Sequence, residues 1–283
     1  MAGPQPVALV TGATAGIGLE TAIGLARAGI RVILHGRDEL RTEEARYIVA
    51  DRSGSGLVET AMADFASLAA VRGLAETVLS RHDRLDVLVN NAGLIAPRFR
   101  LSEEGYELTI AVNHLAPFLL TNLLLDRLRA SAPSRIVTVA SMAHRGARLD
   151  LPTLVGHQDW APLKAYGRSK LCNILFTRAL AKRLDRTGVT ATCLHPGVIA
   201  TKIGEGAGNV AGFGWRLIKP FLTGVDKGAE TSIFLATVPD PTPFHGAYVI
   251  GRRAHMPDSP ALDDNLAEAL WAESERLVSL PAS

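Results

Sequence analysis

Along this chain, short unbroken apolar runs alternate with longer stretches in which apolar residues return every three or four positions. VALVT (7–11) reads as a strand buried on both faces, and IGLETAIGLARAG (17–29) as a helix closing on Gly29. The series continues with strand 30–36, helix 38–50, strand 56–62, helix 67–81, strand 85–90, a long helix over 103–130 and strand 135–141. Helix 164–186, strand 189–194, helix 227–237, strand 247–251 and a last helix over 261–278 complete it. Strands that lack polar alternation, each followed by a helix, predict a parallel sheet covered on both sides. The fold class expected is α/β, a doubly wound Rossmann-type sheet that is mostly parallel, with residues 1–283 forming one domain. The rhythm breaks at 143–163 and at 198–226, and loops of that length in a compact domain usually serve function.

Composition changes this picture little. Hydrophobic residues make up 47% of the 283 and charged residues 20%, enough to build a core and too apolar for disorder. The net charge is +2 and no basic stripe forms, which argues against a nucleic-acid partner. No uninterrupted apolar run reaches the roughly 18 residues of a membrane span. The N-terminus lacks a charged leader, and Cys172 and Cys193 sit apart in apolar segments without metal spacing. The expectation is a cytoplasmic protein with two reduced thiols, no metal and no membrane span. Only six of the 30 basic residues are lysine, so each lysine stands out.

Candidate chemistry begins at TGATAGIG, where Thr11, Gly12, Gly16 and Gly18 lie between the first strand and the first helix. Glycines there let the backbone approach a pyrophosphate, and the helix N-terminus offers N–H donors and partial positive charge. The second strand ends His35-Gly36-Arg37, without the carboxylate that would hold the ribose hydroxyls of NAD. Arg37 can offer a planar fork to a 2′-phosphate, so NADP(H) is the expected cofactor. Tyr166 and Lys170 stand four apart on one helix, hence on one face. A phenol titrates near 10, and a neighbouring ammonium, with the positive nicotinamide of an oxidised cofactor, is expected to favour the phenolate and bring it toward working pH. Ser141 ends a strand, and in a parallel sheet ligands gather at the carboxyl ends of the strands.

Taken in order, TGATAGIG, Asn90-Asn91-Ala92-Gly93, Asn113, Ser141, Tyr166, Lys170 and Pro196-Gly197 resemble the short-chain dehydrogenase/reductase family over about residues 7–251. Segments 64–72, 105–125, 166–184 and 270–278 resemble its retinol-dehydrogenase-like branch. The resemblance implies a catalytic set of Asn113, Ser141, Tyr166 and Lys170. Ser141 would bond the substrate oxygen, and Tyr166 would act as acid in reduction and base in oxidation. Lys170 would bind the nicotinamide ribose, and Asn113 would hold a water linking Lys170 to solvent. The implied cofactor set is Gly12, Thr14, Ala15, Gly16, Ile17, Gly18, Arg37, Asp64, Asn91, Ala92, Gly93, Tyr166, Lys170, Pro196, Gly197, Val198 and Thr201. In it Asp64 would accept from the adenine amino group, and Val198 and Thr201 would bind the carboxamide and a phosphate. Asn90 would be more structural than catalytic. Family members are often homodimers or homotetramers.

The expected reaction is reversible hydride transfer between NADP(H) and a carbonyl/alcohol pair on a small molecule. A C=C reductase and a non-catalytic NADP(H) sensor on the same fold are the alternatives. Segment 198–226 is rich in glycine, then concentrates Phe213, Trp215 and Phe221, as a lid over a hydrophobic substrate would. The same cluster, with Trp160, would serve equally as a core anchor. His114 and His195 lack a second ligand at metal spacing.

Overall fold

The computed structural model describes residues 4–197 and 224–280. The strands are β1 (Val7–Val10), β2 (Arg31–Gly36), β3 (Val58–Met62), β4 (Val87–Asn90), β5 (Ser134–Val139), β6 (Val189–His195), β7 (Tyr248–Ile250) and β8 (Arg253–His255). The helices are α1 (Gly16–Arg27), α2 (Glu39–Ser53), α3 (Leu68–Arg81), α4 (Leu108–Ala130), α5 (Pro162–Arg183), α6 (Val225–Thr237) and α7 (Asp264–Leu277). The sheet order is β3-β2-β1-β4-β5-β6-β7-β8, parallel throughout except for the last pair. The chain winds outward from β1 to β3 and then crosses back to β4. That reversal opens a crevice above the carboxyl ends of β1 and β4, the place where doubly wound sheets bind ligands.

Alternate strand residues feed two cores. Leu9, Leu88, Ile136 and Cys193 face α3, α4, α5 and α7, while Ala8, Val10, Val89, Val137 and Leu194 face α1, α2 and α6. This two-sided burial is why the strands read as continuous apolar runs. Helix starts follow from capping. Asp38, Ser67 and Asp263 accept hydrogen bonds from the backbone N–H groups of Arg41, Ala70 and Leu266, opening α2, α3 and α7. Gly54, at φ 70°, closes α2 in the left-handed conformation that glycine adopts without penalty.

The long fourth helix begins at Leu108 rather than near 103. Gly105 turns at φ 79°, Leu101 bridges to Glu107, and the Glu107 carboxylate caps the Ile110 N–H at 2.8 Å. This helix is long and apolar enough to cross a membrane, but 89% of its most apolar window is buried inside the protein. Its apolar surface is spent on α3 and α5. Strand β8 was not expected; it is three exposed residues following the Gly251-Arg252 turn, too short and polar to show a period.

Helix α7 closes the outer face of α5. Trp271 stacks on Phe176 at 5.9 Å and meets Phe118 edge-on at 4.9 Å. The Arg183 guanidinium lies 4.1 Å from the Trp271 ring, and Arg178–Asp264 and Arg183–Glu268 pair at 2.9 and 2.7 Å.

Candidate active site

The turn after β1 is shaped by what glycine allows. Gly12 and Gly16 have φ of 63° and 58°. A Cβ on Gly12 would lie 2.8 Å from Ala92 Cα, and one on Gly18 would run into the Gly12 carbonyl oxygen. Asn91 clamps this turn from β4. Its Nδ2 donates to the Thr11 and Gly12 carbonyls at 2.8 and 3.1 Å, and its backbone N–H donates to Thr11 Oγ1 at 2.9 Å. Ala92 N–H shares the same hydroxyl at 3.0 Å. Asn90 instead donates to buried Thr121 at 2.9 Å, a structural role.

Unlike α2, α3 and α7, helix α1 starts without a side-chain cap; its N-cap is Ala15. The first-turn N–H groups of Gly16, Ile17 and Gly18 are therefore left for an anion. Thr14 and Ala15 line the approach. With close-packed glycines below and uncapped donors in front, the residues fit a pyrophosphate.

At the end of β2, a Cβ on Gly36 would overlap Thr42 Oγ1 and lie 2.6 Å from Thr14 Cγ2. Those two threonines fill the place where a carboxylate would sit, a physical reason for its absence. Arg37 is exposed beside this point, and no hydrogen bond or ion pair holds it among the described residues. Asp38 is committed to capping α2. Asp64 follows β3, exposed, with Oδ1 accepting from Ala66 N–H at 2.9 Å.

The catalytic candidates converge across β5 and α5. Pro162 opens α5 in the first turn, where its missing N–H costs nothing. One turn later come Tyr166 and Lys170. Gly167 between them brings the helix close: a Cβ there would stand 2.7 Å from the Ala143 carbonyl oxygen. Ser141 opens the turn that contains Ala143, and its hydroxyl accepts from Ala143 N–H at 3.2 Å. Close approach sets Ser141 against the Tyr166 phenol. Burial raises the phenol above its ordinary 10, with Ser141 acting in the opposite direction.

Lys170 is buried, its Nζ donating to the Val139 carbonyl at 2.8 Å and lying 5.5 Å from the Tyr166 ring centre. Burial brings its ammonium down to about 8. With its ammonium turned to the Val139 carbonyl, Lys170 does not set the direction of the Tyr166 shift, which burial dominates.

Asn113 lies in a π turn, Ala111–Leu115, inside α4. Such turns shift the helix register locally and often mark functional positions. Its Oδ1 accepts from Leu94 N–H at 2.8 Å, and Nδ2 donates to the Leu94 carbonyl and Ser169 Oγ at 2.9 and 3.0 Å. Both amide hydrogens are spent holding the Gly93-Leu94 backbone to α5. Gly93 lies against this clamp: a Cβ there would be 3.5 Å from Lys170 Nζ.

Pro196 and Gly197, with Gly197 at φ 90°, end the described part of this edge. Val198, Thr201 and the proposed lid with Phe213, Trp215 and Phe221 lie outside the described residues. Trp160 is an anchor: its Nε1 donates to buried Glu107 at 3.0 Å. Among the described residues no group of three His, Cys, Asp or Glu side chains could hold a metal.

Two residues of the site escaped the sequence reading. His144 donates from Nδ1 to the Ser141 carbonyl at 2.6 Å and receives Asp258 N–H on Nε2 at 3.3 Å, bracing the Ser141 turn. Gly167, a glycine inside a strong helical pattern, was the available signal of close packing.

The family model for short chain dehydrogenases matches residues 6–209. Retinol dehydrogenase 12 of Mus musculus is 39% identical over 98% of this chain and 87% of its own length. A crystal structure of an uncharacterized protein from Mycobacterium paratuberculosis superposes with a TM-score of 0.80 at 34% identity, covering 98% of this chain and 96% of that one. One from Beutenbergia cavernae, described as an NAD(P) dependent gluconate 5-dehydrogenase with bound NADP, superposes at 0.69 and 30% identity, covering 88% and 95%. Matching motifs, strand order and near-full-length similarity agree, and the chain belongs to the short-chain dehydrogenase family, in its retinol-dehydrogenase-like branch.

Proposed function

We propose that this oxidoreductase transfers hydride between NADP(H) and a carbonyl/alcohol pair, with carbonyl reduction as its working direction. The observation that carries the reading is the meeting of Ser141, Tyr166 and Lys170 at the carboxyl edge of β5, beside the glycine turn. The cofactor supplies the hydride. Tyr166, raised by burial, keeps its proton at neutral pH, the state required to protonate an oxygen that gains charge as the carbonyl is reduced. Ser141 orients that oxygen against the phenol. Lys170 would hold the ribose, and its ammonium, brought down to about 8 by burial, gains from an anionic ligand. Asn113 fixes the Gly93-Leu94 wall on which the nicotinamide half would rest.

The NADP(H) preference rests on exposed, unpaired Arg37 and on the threonines that exclude an acidic side chain at position 36. An apolar substrate is the further part of the proposal. It is supported by the apolar cluster between 213 and 222 in the sequence, and by relatives named for retinol, an apolar alcohol. A cytoplasmic setting belongs to the same reading, supported by two free, buried thiols. The test is NADPH consumption with aldehydes, ketones and quinones of graded chain length. Turnover should rise with alkyl length, at about 0.8 kcal/mol per buried CH₂ until the pocket fills. Consumption by none of the panel, despite tight NADPH binding, would remove the catalytic reading.

A further inference from the structure

We propose that His35 is a positioning residue that sets the span between the phosphate turn and the adenine wall of the dinucleotide site. The proposal rests on the NADP(H) reading above. His35 is the penultimate residue of β2, 3% exposed, and lies beneath the site rather than in it. Both ring nitrogens are engaged. Gly12 N–H donates to Nδ1 at 3.2 Å, so Nε2 carries the hydrogen and donates to the Ala63 carbonyl at 3.1 Å. The ring lies nearly parallel to Phe65, with centres 4.3 Å apart and planes at 21°.

These contacts join two places that the ligand also joins. Gly12 begins the turn that would face the pyrophosphate, and Ala63 precedes Asp64, the candidate partner of the adenine. The backbone repeats the connection: Ala13 N–H donates to the His35 carbonyl at 3.0 Å, and Ala63 N–H to the Gly36 carbonyl at 3.1 Å. The side chain thus braces β1 against β3 across β2 at the level where a dinucleotide must bridge them. Only one neutral tautomer suits this brace. A proton on Nδ1 would set two donors face to face at Gly12. Burial keeps the ring neutral, lowering it to about 4, with Asp64 working the other way.

A brace of this kind matters to a ligand that touches both ends and not to one that touches a single end. The test measures binding of NADPH and of adenosine 2′-monophosphate to wild type, His35→Leu, His35→Asn and His35→Gln, with kcat at saturating NADPH alongside. Asn places an acceptor at the Nδ1 position and keeps the Gly12 bond. Gln places a donor near Ala63 but offers Gly12 nothing. His35→Leu should weaken NADPH on the order of tenfold, while adenosine 2′-monophosphate and saturated kcat change by less than about twofold. His35→Asn and His35→Gln each keep only one end of the brace and should lose affinity as His35→Leu does. Equal loss for both ligands, wild-type NADPH affinity in His35→Leu, or near-wild-type affinity in His35→Asn or His35→Gln would each overturn the assignment. A wild type that binds neither NADPH nor NADH would overturn the cofactor reading itself, and this one with it.

Discussion

The two halves of the site treat their polar groups differently. In the cradle above β1 to β4, Thr11, Asn91 and His35 spend their hydrogen bonds on backbone, Asn113 spends its own on backbone and Ser169, and glycine conformation does the rest. On the rim beyond β5 and β6, several buried polar groups have no partner among the described residues. Neither ring nitrogen of His195 nor the Tyr248 hydroxyl is bonded among the described residues, and burial takes His195 down to about 4. Lys170 has a single carbonyl for an ammonium. A satisfied network fixes geometry, whereas an unsatisfied one stores a cost that a bound ligand can relieve. On the proposed reading the cradle binds and the rim does the chemistry, so a substitution in one should leave the other's readout in place.

The sharpest separation should come from Tyr166→Phe. Removing one oxygen keeps the ring and its packing, so kcat should fall about 10²–10⁴-fold while the Kd for NADPH, followed by its fluorescence, moves by less than about twofold. A joint loss of both would erase the division. On the cradle side, Arg37→Ala should weaken NADPH on the order of tenfold to a hundredfold, with NADH affinity and kcat unchanged. Calorimetry with both dinucleotides decides it, and equal affinities in wild type would already cancel the assignment. An acidic replacement at Gly36 is the poorer experiment, because Thr42 and Thr14 occupy its space.

The smallest effect lies where the halves meet. Burial brings the Lys170 ammonium down to about 8. The ammonium dominates below that pH and the amine above it. An anionic cofactor favours the ammonium, so NADP⁺ affinity should be full below about pH 8 and decline above it, by at most tenfold per pH unit. Lys170→Arg stays charged throughout and should flatten the profile, although its planar fork costs activity. A flat wild-type profile between pH 7 and 9.5 would show that the cofactor does not sense Lys170.

The legible parts of this molecule were those whose meaning is local. TGATAGIG could be read because strand, turn and helix are consecutive, and Tyr166 with Lys170 because four residues span one helical turn. The sheet followed from unbroken apolar strands. What stayed hidden depends on residues distant in the chain. The link from His35 to Gly12 and Ala63 needs the sheet order, and the Asn113 clamp needs Leu94 and Ser169 beside a π turn that no periodicity announces. The burial that raises Tyr166 was hidden for a related reason. Charge proximity can be inferred from spacing, but the depth of burial that outweighs it cannot.

The aromatic cover over α5 also bears on synthesis. Residues 7–90, which carry the strands of the cradle, leave the ribosome first and can pair with one another as they emerge. The helix bearing Tyr166 emerges later, and its outer face stays bare until Trp271 arrives to lie against Phe118 and Phe176. Through that interval the nascent chain shows an aromatic surface beside a half-built site, the kind of surface chaperones hold. The glycine turn thus meets its sheet before the helix bearing Tyr166 meets its cover.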